Sequence, residues 1–597
     1  MKRYAIRMSL ILCGIALAFA GKANVSGSSE SADRISSPGR YSGYSDAIYD
    51  DKYELTSQYV PVSDGTRLAM DLYRPRDKAT GKVIKTRLPV LWMHTPYNRR
   101  YSGNDKTLTG EGYPGAAARL VKYGYVVAIV DFRGLYASYG RNVAFNRGEW
   151  LTAARRDAYD ITEWLARQSW SNGNIGMWGC SATGGSQLQA ATTAPPHLKA
   201  IFPMSCEFDA YSFRVPGGMA PPKDAGVPSK GPSGQKSRDA AAEPVDGDTD
   251  RSMLSQAIAQ HANSVDSEGY APYRDSFAEA ITDPGAQPWW IKSSPHHYLE
   301  QIKASKTAIY LAANWDEGPT KQGAFFTFNN VTNPAKLIVG PGGHCGWAAV
   351  QSQTGFDITV EERRFFDYWL KGIDNGVMKE DPVYYYTYNA PAGLEWRSAK
   401  RWPLPNEKRT RFYLGKGSLS TAAPTGADQK DEPTVAYGVT PANLAAGGLV
   451  YETSPLPKDV QVTGHPSVNL WVSSTATDGD FIATIQDVAP DGTAASYNIS
   501  GRLRASLRKL QKAPYNNLGL PWHGFNAADV TPLTPGQPTE LEFEILPISM
   551  IFKAGHRIRL VVHFADPRAT PRIDPAPKVA VYRDSKHKSY ITLPMQP

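Results

Sequence analysis

Cysteine is scarce in this 597-residue chain, with four in all: Cys13, Cys180, Cys206 and Cys345. So few exclude a fold stapled together by disulfides. Long apolar runs are missing too. Beyond the first twenty residues nothing approaches an uninterrupted apolar run of about 18 residues, which argues against a membrane-spanning helix. Charge of one sign is not concentrated: 65 Lys and Arg face 57 Asp and Glu for a formal charge of +8, and the basic residues are scattered. A nucleic-acid partner is therefore not expected. No H-E-x-x-H motif and no phosphate-cradling glycine loop occurs, so neither a metal nor a cofactor is expected. What the chain does have is ordinary globular material. Hydrophobic residues make up 41% and aromatic residues 11%, ample for a core in a chain too long to form only one.

The N-terminus has the pattern of a secretory signal peptide over residues 1–20. Lys2, Arg3 and Arg7 form a basic start, 10–20 is apolar, and Ala18-Phe19-Ala20 offers a small-x-small cleavage site. A lipid anchor on Cys13 is disfavoured, because Leu12 stands where a small residue is needed. The expectation is a secreted or periplasmic protein with no membrane contact after cleavage, led by a disordered stretch over 21–45 rich in Ser and Gly.

The strongest chemical signal is Asn174-Ile175-Gly176-Met177-Trp178-Gly179-Cys180-Ser181-Ala182-Thr183-Gly184-Gly185, a short apolar strand running into a glycine-flanked serine and then a helix. This is the pattern of a nucleophile elbow, with Ser181 at its tip, although the spacing is G-x-S-x-x-G, one residue longer than usual. An α/β-hydrolase needs an acid and then a histidine after later strands of the same sheet. The apolar run 307–313 ends in Asn314-Trp315-Asp316-Glu317-Gly318, and the run 335–339 ends in Gly340-Pro341-Gly342-Gly343-His344-Cys345. Asp316 and His344 thus fall at the carboxyl ends of two strands, where open α/β sheets place their chemistry. Each alone reads as a cap or a loop residue. In order, after Ser181, they read as a triad.

Around the site, 53–62 and 67–73 alternate about Asp64-Gly65 as a hairpin, and 89–93 and 126–130 are short apolar runs of the kind covered on both faces. Ala158, Ile161, Trp164 and Leu165 mark a helix before the elbow strand, giving a doubly wound α/β pattern. The catalytic α/β-hydrolase domain is placed at 46–211 and 301–381. Between them, 212–300 is a helical cap insertion in which 216–250, dense in Gly, Pro and Ala, is expected to be mobile, and Trp289-Trp290 to anchor the cap. Short strands separated by Gly, Pro and Asp turns then fill 382–597, as in a jelly-roll β-sandwich, with 383–388 as its first strand. With Cys13 lost, the remaining cysteines are odd in number. Cys180 and Cys206 end neighbouring strands, so a bridge between them is conceivable, but buried thiols are the expected state.

These motifs together resemble the cocaine-esterase and X-Pro dipeptidyl-peptidase-like α/β-hydrolases, which include glutaryl acylases and α-amino-acid ester hydrolases. The resemblance rests on Asp131-Phe132-Arg133-Gly134 with Ser138 and Gly140, on Gln168-Ser169-Trp170-Ser171-Asn172-Gly173, on the elbow and the two loops above, and on Phe552-Lys553-Ala554-Gly555-His556-Arg557-Ile558-Arg559. It implies Ser181 as nucleophile, His344 as base, Asp316 as the carboxylate that orients it, and an oxyanion hole made by the Ala182 N–H and the Tyr97 hydroxyl of Thr95-Pro96-Tyr97-Asn98. Two departures stand out. Ala182 replaces the tyrosine common after the nucleophile. Val215, preceded by Arg214, stands where the amino-acid ester hydrolases carry an acid six residues after the aspartate matched by Asp209, which counts against an ammonium-bearing substrate.

The expected function is a cofactor-independent serine hydrolase acting on a small-molecule ester or amide through an acyl-enzyme, with ester cleavage favoured. An X-prolyl dipeptidyl peptidase is the alternative within the family, and a non-catalytic polymer- or carbohydrate-binding protein is the alternative outside it. Whether the chain forms a homo-oligomer is left open.

Overall fold

The computed structural model describes residues 36–41, 46–101, 112–142, 153–219, 234–264, 277–279, 281–282, 287–437, 444–566 and 573–597. The expected signal peptide, most of the lead-in and 220–233 of the insertion lie outside the described residues.

Among the described residues, ten strands form the catalytic sheet: β1 (Tyr53–Pro61), β2 (Arg67–Pro75), β3 (Leu88–Thr95), β4 (Val126–Asp131), β5 (Ser171–Cys180), β6 (Leu198–Met204), β7 (Ala308–Asp316), β8 (Ala335–Gly343), β9 (Val383–Tyr386) and β10 (Trp396–Ala399). Their order is β1-β2-β4-β3-β5-β6-β7-β8-β9-β10. The hairpin β1–β2 turns at Asp64-Gly65, where Gly65 takes a φ of 85°, and joins β4 antiparallel; from β4 to β9 neighbours run parallel. β3 and β4 are buried along their whole length, as continuous apolar strands must be when helices cover both faces. The covering helices include α1 (Gly112–Val121), α2 (Asp157–Ala166), α3 (Ala182–Thr192), α4 (Pro319–Asn330) and α5 (Ile358–Lys371).

The sheet does not stop at 382. The strand expected to open the C-terminal domain, β9, pairs parallel with β8, and β10 adds antiparallel to it, so the catalytic layer runs to residue 399. Tyr-rich β9, next to the edge strand β10, alternates in burial, a pattern the sequence shares with any sandwich strand. Beyond it, an antiparallel sheet of nine strands and another of five, counted among the described residues, form the β-sandwich. The sandwich meets the catalytic domain through aromatic packing, with Trp402 stacked on Phe325 of α4 at 4.5 Å between ring centroids.

The insertion departs from expectation as well. Trp290 is fully buried, edge-on to Tyr211 at 6.2 Å, as an anchor should be. Residues 241–248, however, are not loose. Ala242 and Val245 pack with Phe132, Leu135 and Leu254, and Asp246 exchanges backbone and side-chain hydrogen bonds with Ser57 at 3.0 and 2.8 Å. A few apolar residues and captured carbonyls fix this strap, which composition alone reads as mobile.

Candidate active site

Ser181 ends β5 and starts α3 with φ 61° and ψ −123°, a region that a non-glycine residue occupies at a cost of about 1–3 kcal/mol. The surroundings hold it there. Its N–H donates to the Met204 carbonyl at 2.9 Å, and its own carbonyl accepts the N–H groups of Gly184 and Gly185, each at 2.9 Å. Small neighbours are required on both sides. A Cβ on Gly179 would lie 2.4 Å from Thr183 Oγ1, and one on Gly184 would lie 2.5 Å from the Met204 carbonyl. The long G-x-S-x-x-G spacing therefore still serves the elbow, because Gly184 is where α3 presses on β6. Ala182, at the first position of α3, offers a backbone N–H that the helix itself leaves unsatisfied.

His344 follows β8, its side chain 43% exposed. Its Nδ1 lies 3.0 Å from Oε2 of Glu317, which is completely buried. The acid facing the histidine is thus Glu317 and not the expected Asp316. The reason lies in the strand: β7 runs three residues past the apolar pattern, pairing Asp316 with Gly343, and Asp316 ends exposed on its last position. Glu317 is the first residue free to turn, and its longer side chain reaches the imidazole. It is fully engaged there, with Oε1 accepting the Asn314 N–H at 2.7 Å and Oε2 the Thr320 hydroxyl at 2.9 Å. A carboxylate only accepts, so Nδ1 carries the proton and Nε2 is left basic. Burial raises the Asp316 carboxyl above its ordinary range, while Lys321 pulls the other way.

Cysteine usage also differs from expectation. Cys180 is bonded to Cys345, with Cα atoms 6.0 Å apart, and Cys206 stays outside the bridge as a buried thiol. Three strand steps separate β5 from β8, about 14 Å at the usual spacing. The loop after β8 must therefore arch back over β7 and β6, and on the way the Cys345 N–H donates to Ser205 Oγ at 3.3 Å. Neighbour-strand reasoning pairs Cys180 with Cys206 and misses this return. The end of β8 that feeds this loop is held by Tyr388, whose hydroxyl donates to the Pro341 carbonyl at 2.7 Å.

Tyr97 leaves the end of β3, the strand beside β5. Trp92 is level with Met177, and the same register carried forward sets Thr95 level with Cys180. Tyr97 is half-buried, and its N–H is held by Thr95 Oγ1 at 3.0 Å. One residue behind the site escaped the sequence reading entirely. Lys321 of α4 is buried and donates to the Trp315 carbonyl at 2.6 Å and to the Asn498 carbonyl of the sandwich at 3.1 Å. Burial lowers its ammonium to about 7, against the pull of Glu317 and Asp316. Only its position four residues after Glu317, on the inner face of a helix, could have marked it.

Next to the acid loop, the segment after β6, the start of α4 and the sandwich enclose a cavity of about 620 Å³. Aromatic side chains such as Phe208 and Tyr515 line it together with Glu207, Asp209, Glu544 and Asp566. Val215 is buried and does not line the cavity, but carboxylates reach it from elsewhere, two of them from the sandwich.

The sequence profile of the X-Pro dipeptidyl-peptidase (S15 family) matches residues 64–346, and that of the X-Pro dipeptidyl-peptidase C-terminal non-catalytic domain matches 375–592. A Mycobacterium bovis protein that carries the name of a serine esterase is 32% identical over 90% of this chain and 95% of its own length. The cocaine esterase of a Rhodococcus species is 28% identical over 92% of this chain and 100% of its own. In fold, a CocE/NonD family hydrolase from Staphylococcus aureus superposes with a TM-score of 0.70, covering 90% of this chain and 93% of that one at 22% identity.

Proposed function

Because the chain belongs to the X-Pro dipeptidyl-peptidase (S15) family of serine hydrolases, we propose that it cleaves carboxylic esters through an acyl-enzyme, with Ser181, His344 and Glu317 as the triad. The observation that carries this reading is the Glu317–His344 contact at 3.0 Å beside a serine held in an elbow conformation. Ser181 Oγ attacks the ester carbonyl carbon and passes its proton to His344 Nε2. The tetrahedral oxyanion is met by the Ala182 N–H and the Tyr97 hydroxyl. As the bond to the alcohol oxygen breaks, His344 returns the proton to that oxygen. Water then attacks the acyl-enzyme, giving its proton to His344, and the proton returns to Ser181 as the acid departs. Glu317 stabilises the imidazolium in both halves.

The name of the Mycobacterium bovis relative favours an ester substrate. The carboxylates at the cavity favour a second reading, cleavage of substrates with a free amine, including X-prolyl peptides. We further infer export of the protein, which the basic and apolar start of the chain and the Cys180–Cys345 bridge both support. The test is turnover of p-nitrophenyl esters and of Gly-Pro and Ala-Pro p-nitroanilides by wild type and Ser181→Ala. Ester turnover lost in the variant upholds the first reading, turnover of the anilides alone transfers the assignment to the second, and turnover that survives Ser181→Ala rejects both.

A further inference from the structure

Two residues beyond Tyr97, Arg99 is completely buried between two buried carboxylates. Its Nε donates to Asp71 Oδ1 at 2.8 Å and its Nη1 to Asp131 Oδ2 at 3.0 Å, while its backbone N–H donates to Asp131 Oδ1 at 2.6 Å. The remaining Nη2 donates to the carbonyls of Glu243 and Pro244 in the strap, at 2.7 and 3.0 Å. One guanidinium thus ties the Tyr97 loop to β2, to the end of β4 and to the insertion. Asn98 adds a parallel tie. It sits at φ 84° and donates from Nδ2 to the Ala241 carbonyl at 3.0 Å.

Such a clamp is costly as a stability device, since a buried ion pair of this kind is often replaceable by apolar packing without loss. What it supplies is a fixed geometry. Lysine in its place would keep the charge but not the fork that meets two carboxylates and two carbonyls at once. The Asp131-Phe132-Arg133-Gly134 motif fits this purpose. Asp131 receives Arg99, its carbonyl accepts the Ser138 hydroxyl at 2.8 Å, and Arg133 closes on Asp157 at 2.6 Å, so the receiving carboxylate is itself immobile. Tyr97, half-buried, directly precedes these two fixed residues, Asn98 and Arg99.

We propose that Arg99 is a positioning residue for the Tyr97 hydroxyl, clamping its loop between β4 and the strap at 241–246. This rests on the reading of Tyr97 as an oxyanion donor. It makes the docked strap a working part of the oxyanion hole: a hydroxyl displaced by about 1 Å from the oxyanion loses much of its effect.

The test is a double-mutant cycle on ester turnover. Arg99→Lys is expected to lower kcat by about tenfold or more with KM changed less than about threefold, and to change kcat less than about twofold when Tyr97→Phe is already present. Asn98→Asp, which keeps the Oδ1 acceptor and tolerates the left-handed backbone while losing the bond to Ala241, is expected to show the same dependence on Tyr97 and serves if Arg99→Lys does not fold. Equal fold losses in the two backgrounds, or a loss confined to KM, overturn the assignment of Arg99 and leave Tyr97 untouched. Wild-type kcat in Tyr97→Phe alone overturns the reading of Tyr97, and the inference with it.

Discussion

Cys180 and Cys345 are covalently joined, which makes the residue before the nucleophile and the residue after the histidine parts of one unit. The bridge spans 165 residues of sequence and fixes the distance between two loops that leave the sheet three strands apart. Replacing both cysteines by serine is expected to reduce stability by about 2–4 kcal/mol and to lower kcat several-fold, because the His344 loop then loses its covalent tie to the nucleophile and keeps noncovalent holds such as those from Glu317, Ser205 and Tyr388. Reduction of the wild type with a thiol reproduces both effects, and Cys206→Ser reproduces neither. Melting temperature and kcat, measured with and without reductant, check this.

The acid assignment has a sharp test. Glu317→Gln keeps the shape and the hydrogen bonds to Asn314 and Thr320 within reach but cannot hold the imidazolium, and a loss of about 10⁴ in kcat is expected. Asp316→Asn, at the exposed end of β7, is expected to stay within about twofold of wild type. Burst-phase kinetics with a p-nitrophenyl ester read both, and the opposite ranking returns the role to Asp316.

These two sites show where sequence carries information and where it runs out. The turn at Ser181 and the place of His344 after a strand were legible because glycines and strand ends flank them, and the close packing of the turn demands those glycines. The strands up to β8 and the doubly wound pattern followed from apolar runs and turns, whereas the order of the strands in the sheet came only with the structure. Glu317 was not separable from Asp316, because strand length decides which of two adjacent acids turns inward, and β7 continues through polar Asn314 with no apolar pattern to mark it. The disulfide and the cavity carboxylates Glu544 and Asp566 depend on loops and domains meeting across 165 residues or more, which no local spacing encodes. The strap at 241–248 escaped because its hold on the core combines a few apolar side chains with backbone carbonyls captured by Arg99 and Asn98, contacts with distant parts of the chain that its composition does not encode.

Glu544 gives a pH dependence. It lines the cavity and accepts a hydrogen bond from Gln322 at 2.7 Å. Burial pushes its carboxyl up from 4.5 to about 7, the Gln322 bond opposing this and the charge of Asp209 adding to it. The folded protein therefore keeps a proton that the unfolded chain releases above about 4.5, so this group's contribution to stability falls as pH rises from 4.5 to about 7 and its full cost is present above that. Glu544→Gln removes the cost. A gain on the order of 1–3 kcal/mol near about pH 8 and none near about pH 4 is expected from denaturant unfolding, and an equal gain at both would place the effect in packing instead.

The spacing of the elbow can be probed at its two adjacent glycines. Gly184→Ala puts a methyl group 2.5 Å from the Met204 carbonyl, a backbone atom that also fixes the strand receiving Ser181's N–H, so α3 must shift off β6. A cost of about 1–3 kcal/mol is expected, together with slower labelling of Ser181 by an active-site phosphonate. Gly185→Ala meets nothing within 4 Å and sits inside the same helix, where alanine is the better residue by about 0.5–1 kcal/mol. It is expected to raise the melting temperature and leave labelling unchanged. Equal behaviour of the two variants would mean that the extra residue between Ser181 and Gly184 has moved the close contact elsewhere, and that the elbow's clearance comes from Gly179 alone.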